Sequence, residues 1–118
     1  MKYVMLFCGT PEDQAAFDAL SGEDLAERYA RVGRWFAQHG PAIRASRQLH
    51  PRELATTVRL HGDDALVIDG PFLEGNELIG GYAEIEVADL DGALAMAKSW
   101  PGGGAVEIRP VVQQGGGG

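Results

Sequence analysis

Lys2-Tyr3-Val4-Met5-Leu6-Phe7-Cys8 carries apolar residues on both of its alternating sets. Successive side chains of a strand point to opposite faces. Tyr3, Met5 and Phe7 therefore share one face, and Val4, Leu6 and Cys8 share the other. A strand that is apolar on both faces is covered on both sides, which puts it in the middle of a sheet. The remaining segments must then supply its neighbours and its covers.

Residues 9–20, with Pro11, Glu12 and Asp13, read as a loop. Ser21 then opens a helix as N-cap, with Glu23 and Asp24 in the first turn to complement the helix dipole. Leu25, Tyr29, Val32 and Phe36 form one helical stripe, and Gly40-Pro41 stop it just after His39. Residues 43–49 make a second strand of mixed character. A hairpin follows: Thr56-Thr57-Val58-Arg59-Leu60, the turn His61-Gly62-Asp63-Asp64, and Ala65-Leu66-Val67-Ile68. Asp69-Gly70-Pro71-Phe72 ends its second arm, and Glu74-Gly75-Asn76-Glu77 continues as loop. Residues 78–87 form a strand that alternates from Tyr82 on, with Ala83, Ile85 and Val87 opposite Tyr82, Glu84 and Glu86. Asp89 caps a second helix with inner face Leu90, Ala93, Leu94 and Ala97, which ends before Pro101 and the glycines at 102–104. Val106, Ile108 and Val111-Val112 make the last strand, with Glu107 and Arg109 turned the other way.

This order predicts an α+β domain of the ferredoxin-like, split-βαβ type. It has an antiparallel sheet, two helices on one face and an inserted β-hairpin. The domain spans 1–112, and 113–118 form a flexible glycine-rich tail. The second sheet face then needs a cover, and a chain of 118 residues builds only a modest core. A homodimer with two sheets face to face, closing a dimeric α/β barrel, answers both needs.

Seventeen acidic residues against ten basic ones give a net charge of −7. Such a surface repels phosphate backbones and anionic headgroups, so no direct nucleic-acid or membrane partner is expected. No apolar run is long enough to span a bilayer. The opening run is too short for a secretory h-region and leads into acids without a cleavage site. The single cysteine, Cys8, excludes an internal disulfide and fits a cytoplasmic location.

Several segments together resemble the YCII-related proteins, in particular the subgroup with a DGPF motif. They are Lys2-Tyr3-Val4-Met5-Leu6, Asp69-Gly70-Pro71-Phe72 after Leu66-Val67-Ile68, Leu78-Ile79-Gly80-Gly81-Tyr82, Asp89-Leu90-Asp91 with Ala93, and Val106-Glu107-Ile108-Arg109-Pro110. The resemblance covers residues 2–112. It implies a ferredoxin-like, dimeric α/β-barrel fold in a bacterial protein. It also implies either a small enzyme with a His–Asp pair in its cleft or an accessory role in transcription regulation. The first long helix has no histidine before His39, so that catalytic pair has no counterpart here. The loop after the motif lacks the usual lysine.

Asp69-Gly70-Pro71-Phe72 has two readings. Gly70 permits unusual backbone angles, Pro71 fixes φ and removes a ladder donor, Asp69 accepts turn hydrogen bonds and Phe72 packs, which together make a shape-defining turn. Alternatively, Asp69 lines a ligand cleft, with Phe72 as part of its wall. The polar set Tyr82, Glu84, Glu86, Glu107 and Arg109 also reads two ways. It is a structural ion-pair face at an interface, Arg109 pairing with Glu84 or Glu86 if the strands are neighbours. Or it is a polar cleft in which Arg109 meets an anionic group and Tyr82 forms a wall.

Of the histidines, His50 is the best placed for a cleft, while His39 suits a helix C-terminus and His61 a solvated turn. No metal site is expected, because no two histidines have ligand spacing and one cysteine builds no thiolate site. No cofactor is expected either. The glycines at 102–104 follow a helix, whereas phosphate loops precede one. The expected function is thus a homodimer that binds a small molecule in a polar cleft at the dimer-facing sheet. The alternatives are a small enzyme using Asp69 as acid/base, helped by His50 or Arg109, or a transcription accessory protein. An isolated aspartate needs burial to act near neutrality.

Overall fold

The computed structural model of the chain describes residues 1–72 and 78–113. The loop segment 73–77 and the tail from 114 on lie outside the described residues. The order is β1 (Lys2–Gly9), α1 (Pro11–Asp18), α2 (Gly22–His39), β2 (Ile43–Gln48), β3 (Thr56–His61), β4 (Asp64–Asp69), β5 (Leu78–Glu86), α3 (Leu90–Lys98) and β6 (Ala105–Pro110). The main sheet runs β2-β5-β1-β6 with every neighbouring pair antiparallel, which is the ferredoxin-like order. The doubly apolar β1 sits inside it, as its composition requires.

Tyr3, Met5, Ala83 and Ile85 face the helices and form the core with Trp35 of α2 and with Ala93 and Met96 of α3. Their alternates Val4 and Leu6 are half-buried, on the face that no helix of this chain covers. Asp89 caps α3 as expected, accepting from Gly92 N–H at 3.0 Å. Asp89→Ala is expected to cost about 1 kcal/mol, seen as a lower urea midpoint at unchanged slope.

Several expectations are corrected. Residues 9–20 are not a loop. Thr10 caps α1 by a capping box with Asp13 (Asp13 N–H to Thr10 Oγ1 3.1 Å, Thr10 N–H to Asp13 Oδ2 2.8 Å), and Pro11 occupies the first turn. The Thr-x-x-Asp spacing was the available signal. The helices are therefore one long one, α2 of 18 residues, and two short ones, α1 of eight and α3 of nine.

In α2 the deeply buried residue is Trp35, while Tyr29 is 51% exposed. The stripe is turned toward Val32, Trp35, Phe36 and His39 because the large indole claims the centre of the sheet. In α3 the inner residues are Ala93 and Met96, with Leu90 and Leu94 turned out. Close approach of the helix to the sheet favours alanine at the contact. The last strand ends at Pro110 rather than Val112, which is 81% exposed. The inserted hairpin is present as expected: β3 and β4 form a two-stranded sheet of their own, an arm hydrogen-bonded to neither edge of the main sheet.

Candidate functional site

Four aromatic rings gather where α2 and the end of α3 lie over the C-terminal half of β1. Phe7 stacks on Trp100 with centroids 4.2 Å apart. Trp35 meets Phe7 edge-on at 6.1 Å and Phe36 meets Trp100 at 5.9 Å. Such offset and edge-on pairs satisfy the ring quadrupoles and hold the wall rigid. Beyond Trp35 the layer is not filled, and a cavity of about 510 Å³ opens between helices and sheet.

Its apolar wall is Phe7, Phe36, Trp100 and Val32, with Phe17 of α1 and Tyr29 of α2 at the rim. Phe17 and Tyr29 are themselves edge-on at 6.0 Å. The floor is formed by Gly80, Gly81 and Tyr82 of β5 beside Ser46, Arg47 and Gln48 of β2. Gly81 has no room for a side chain, since a Cβ there would run into the carbonyl oxygen of Arg47 in β2. Gly102, Gly103 and Gly104 close the far side.

Three charged residues line this space: Asp13, Arg28 and Arg47. Asp13 is committed to the capping box of α1. Arg28 is half-buried and donates from Nη1 to Gly102 O at 3.2 Å, which anchors the guanidinium and leaves further N–H groups to donate. Arg47 donates from Nη1 to Ser46 O at 2.6 Å. The cavity is therefore aromatic with one anchored cation, Arg28, at its side; Arg47 pairs in register with Tyr82, which pairs with Leu6, and so turns toward the uncovered sheet face.

The residues singled out from the sequence are mostly elsewhere. Of them, Tyr82 alone contributes to the cavity lining, and its pairing with Leu6 puts its side chain on the sheet face away from the helices. Asp69 is exposed at the base of the β3–β4 arm, paired in register with Thr56. Its turn is held through Gly70, at φ 112, whose N–H donates to Ala55 O at 2.7 Å and whose carbonyl accepts from Thr57 Oγ1 at 2.6 Å. Phe72 is 62% exposed, with the Arg59 guanidinium carbon 5.0 Å from its ring centre. His50 is exposed between β2 and the turn at Arg52–Leu54.

The expected pairing of Arg109 with Glu84 or Glu86 meets a topological obstacle. Strand β1 lies between β5 and β6, and Glu84 and Arg109 flank Val4 from opposite sides. Glu86 instead pairs with Arg44 of β2 at 3.5 Å. Both partners are nearly half exposed, so this pair adds little stability. Among the described residues no three His, Cys, Asp or Glu side chains group as a metal site, and no helix is long and apolar enough to cross a membrane.

The cavity residues that sequence reasoning missed come from six separate segments. Trp100 and Arg28 had no motif to mark them. Phe17 was hidden by the misjudged loop.

Comparison with known proteins supports the architecture. The YCII-related domain matches residues 1–114. The "Uncharacterized protein R00369" of Rhizobium meliloti (strain 1021) is 30% identical over 115 residues, which is 94% of this chain and 92% of that protein. Among solved structures, the 5-chloro-2-hydroxyhydroquinone dehydrochlorinase TftG of Burkholderia phenoliruptrix AC1100, in complex with 2,5-dihydroxybenzoquinone, superposes with a TM-score of 0.54 at 12% identity. That match covers 97% of this chain and 96% of TftG, and at such identity it speaks for the fold alone.

Proposed function

This chain belongs to the YCII-related domain family, and on that premise we propose that it binds a small planar anion in the cavity between its helices and sheet, as a homodimer. The observation that carries this reading is the aromatic wall of Phe7, Phe36 and Trp100 in a cavity of about 510 Å³ that Arg28, anchored on Gly102 O, also lines. Small-molecule sites are typically concave, mostly apolar and within about 300–1,000 Å³, with a few polar groups for orientation. A flat ring slides against the wall, and an acidic substituent meets Arg28 through charge-assisted hydrogen bonds. The dihydroxyquinone in the TftG complex is a molecule of this size class.

Binding is favoured over catalysis because Asp13, the acid lining the cavity, is occupied by its capping box. A reaction run by Asp69 would need a second copy to enclose that exposed carboxylate. The homodimer part of the reading is supported by Val4 and Leu6, apolar and half-buried on the uncovered sheet face. Glu84, Glu86 and Arg109 would border that contact.

Trp100 makes the test direct, since a ring bound against it changes indole fluorescence. Titration with benzoate and with 2,5-dihydroxybenzoquinone is expected to quench emission saturably. Arg28→Met keeps the aliphatic stem and removes the charge. It should weaken binding about 10- to 100-fold, the loss of one hydrogen bond to a charged group. Absence of saturable binding for both probes, by fluorescence and calorimetry, would rule the reading out.

A further inference from the structure

We infer that the β3–β4 arm is an intermolecular clasp, whose apolar face lies on a second copy of this chain and extends the contact between the open sheet faces. The inference rests on the homodimer reading above and adds the element that secures it.

The register of the arm sets Val58 opposite Val67 and Leu60 opposite Ala65, so these four side chains share one face. That face is bare: Val58 is 53% exposed, Leu60 81% and Val67 64%. A lone two-stranded ribbon is marginally stable in water at best and needs a surface to pack on. Its own body does not provide one. The arm forms a separate sheet hydrogen-bonded to neither edge of the main one, and Val58, Leu60 and Val67 stay exposed, so the body leaves this face uncovered.

The same chain carries a second unpartnered apolar surface, the sheet face of Val4 and Leu6. Two copies related by a two-fold axis cover both surfaces at once, each arm clasping the other body, with no third component. With the arm included, the contact area approaches that of a stable interface. Strands of this length run about 20 Å, so a two-stranded arm and a four-stranded face offer a footprint on the order of 600 Å². A stable interface takes roughly 800 Å² of accessible surface per partner. The sheet face alone falls well short of that figure, and the arm supplies much of the difference.

Light scattering on the wild-type protein is expected to give a dimer at micromolar concentration. Val58→Asp combined with Val67→Asp should weaken it at least tenfold, while His61→Ser, on the other face of the arm, should leave it unchanged. Circular dichroism and tryptophan emission report whether the body of the variant stays folded. Should the variant misfold, hydrogen exchange on the wild type decides, because residues 56–69 should exchange more slowly in the concentrated dimer than after dilution to monomer. A wild-type dimer that the double variant forms equally well, or exchange in the arm that ignores dimerisation, overturns the clasp and leaves the sheet-face dimer standing. A wild-type monomer overturns both.

Discussion

Trp35→Ala is expected to unfold the protein or bring it to the edge of unfolding, at a cost of about 3–5 kcal/mol. Trp35 is 3% exposed and sits at the centre of the helix-facing layer. Its ring meets Phe36 at 5.1 Å, Trp100 at 5.0 Å and Phe7 at 6.1 Å, each edge-on, so truncation removes several contacts and leaves a void beside an existing cavity. The indole Nε1 also donates to Met96 O at 3.1 Å and Ser99 Oγ at 3.0 Å, tying α2 to the end of α3. A domain of this size has a total stability of roughly 5–15 kcal/mol, so the loss is a large fraction of the whole.

Trp35→Phe separates packing from hydrogen bonding. Met96 O still accepts from Ser99 Oγ at 2.9 Å, so no buried carbonyl is stranded. That variant should lose only about 1–2 kcal/mol. Urea unfolding followed by circular dichroism measures both. Equal losses in the two variants would mean that the ring's bulk is not what holds the layers together.

Gly104→Ala should cost about 2–4 kcal/mol, through a left-handed backbone angle and an overpacked contact. Gly104 has φ 73, and a Cβ added there would run into the carbonyl oxygen of Cys8 in β1, a backbone atom that cannot step aside. Gly103 provides the control. Its φ is 78, but an added Cβ would find nothing nearer than the Arg28 guanidinium at 3.9 Å. Gly103→Ala should therefore lose only about 1–2 kcal/mol, the backbone term alone. Both glycines line the cavity, so Gly104→Ala is also expected to displace that wall and weaken ligand binding. Equal midpoints for the two alanine variants would show that the Cys8 contact is not a constraint.

Much of the fold was legible because its signals are local. The period-2 pattern of residues 2–8 placed β1 inside a sheet. Ser21 and Asp89 announced their helices as caps, and the hairpin showed itself by its turn. Where a local signal was misjudged, as at Thr10-Pro11-Glu12-Asp13, a helix was lost, and with it Phe17. The rotation of α2 toward Trp35 was harder to foresee. Several apolar faces of that helix were close to equivalent in pattern, and packing against the sheet chose among them.

The candidate site was scarcely legible. The glycines at 102–104 looked like a helix stop, and they are one, but they also close a cavity and anchor Arg28. Asp69-Gly70-Pro71-Phe72, the most conspicuous stretch, proved to be a turn fixed through Gly70 at the base of an exposed arm.

By itself, then, the sequence determined the elements, their order, the doubly apolar central strand and the family to which the chain belongs. Propensity, capping and alternation act over a few residues and can be read from them. Only the tertiary structure decided that β1 separates Arg109 from Glu84, that the arm stands apart from the sheet, and that Phe7, Phe36, Trp100 and Arg28 surround one space. Those facts depend on which elements pack together across long stretches of chain, and the residues that meet there carry no mark of one another in the sequence.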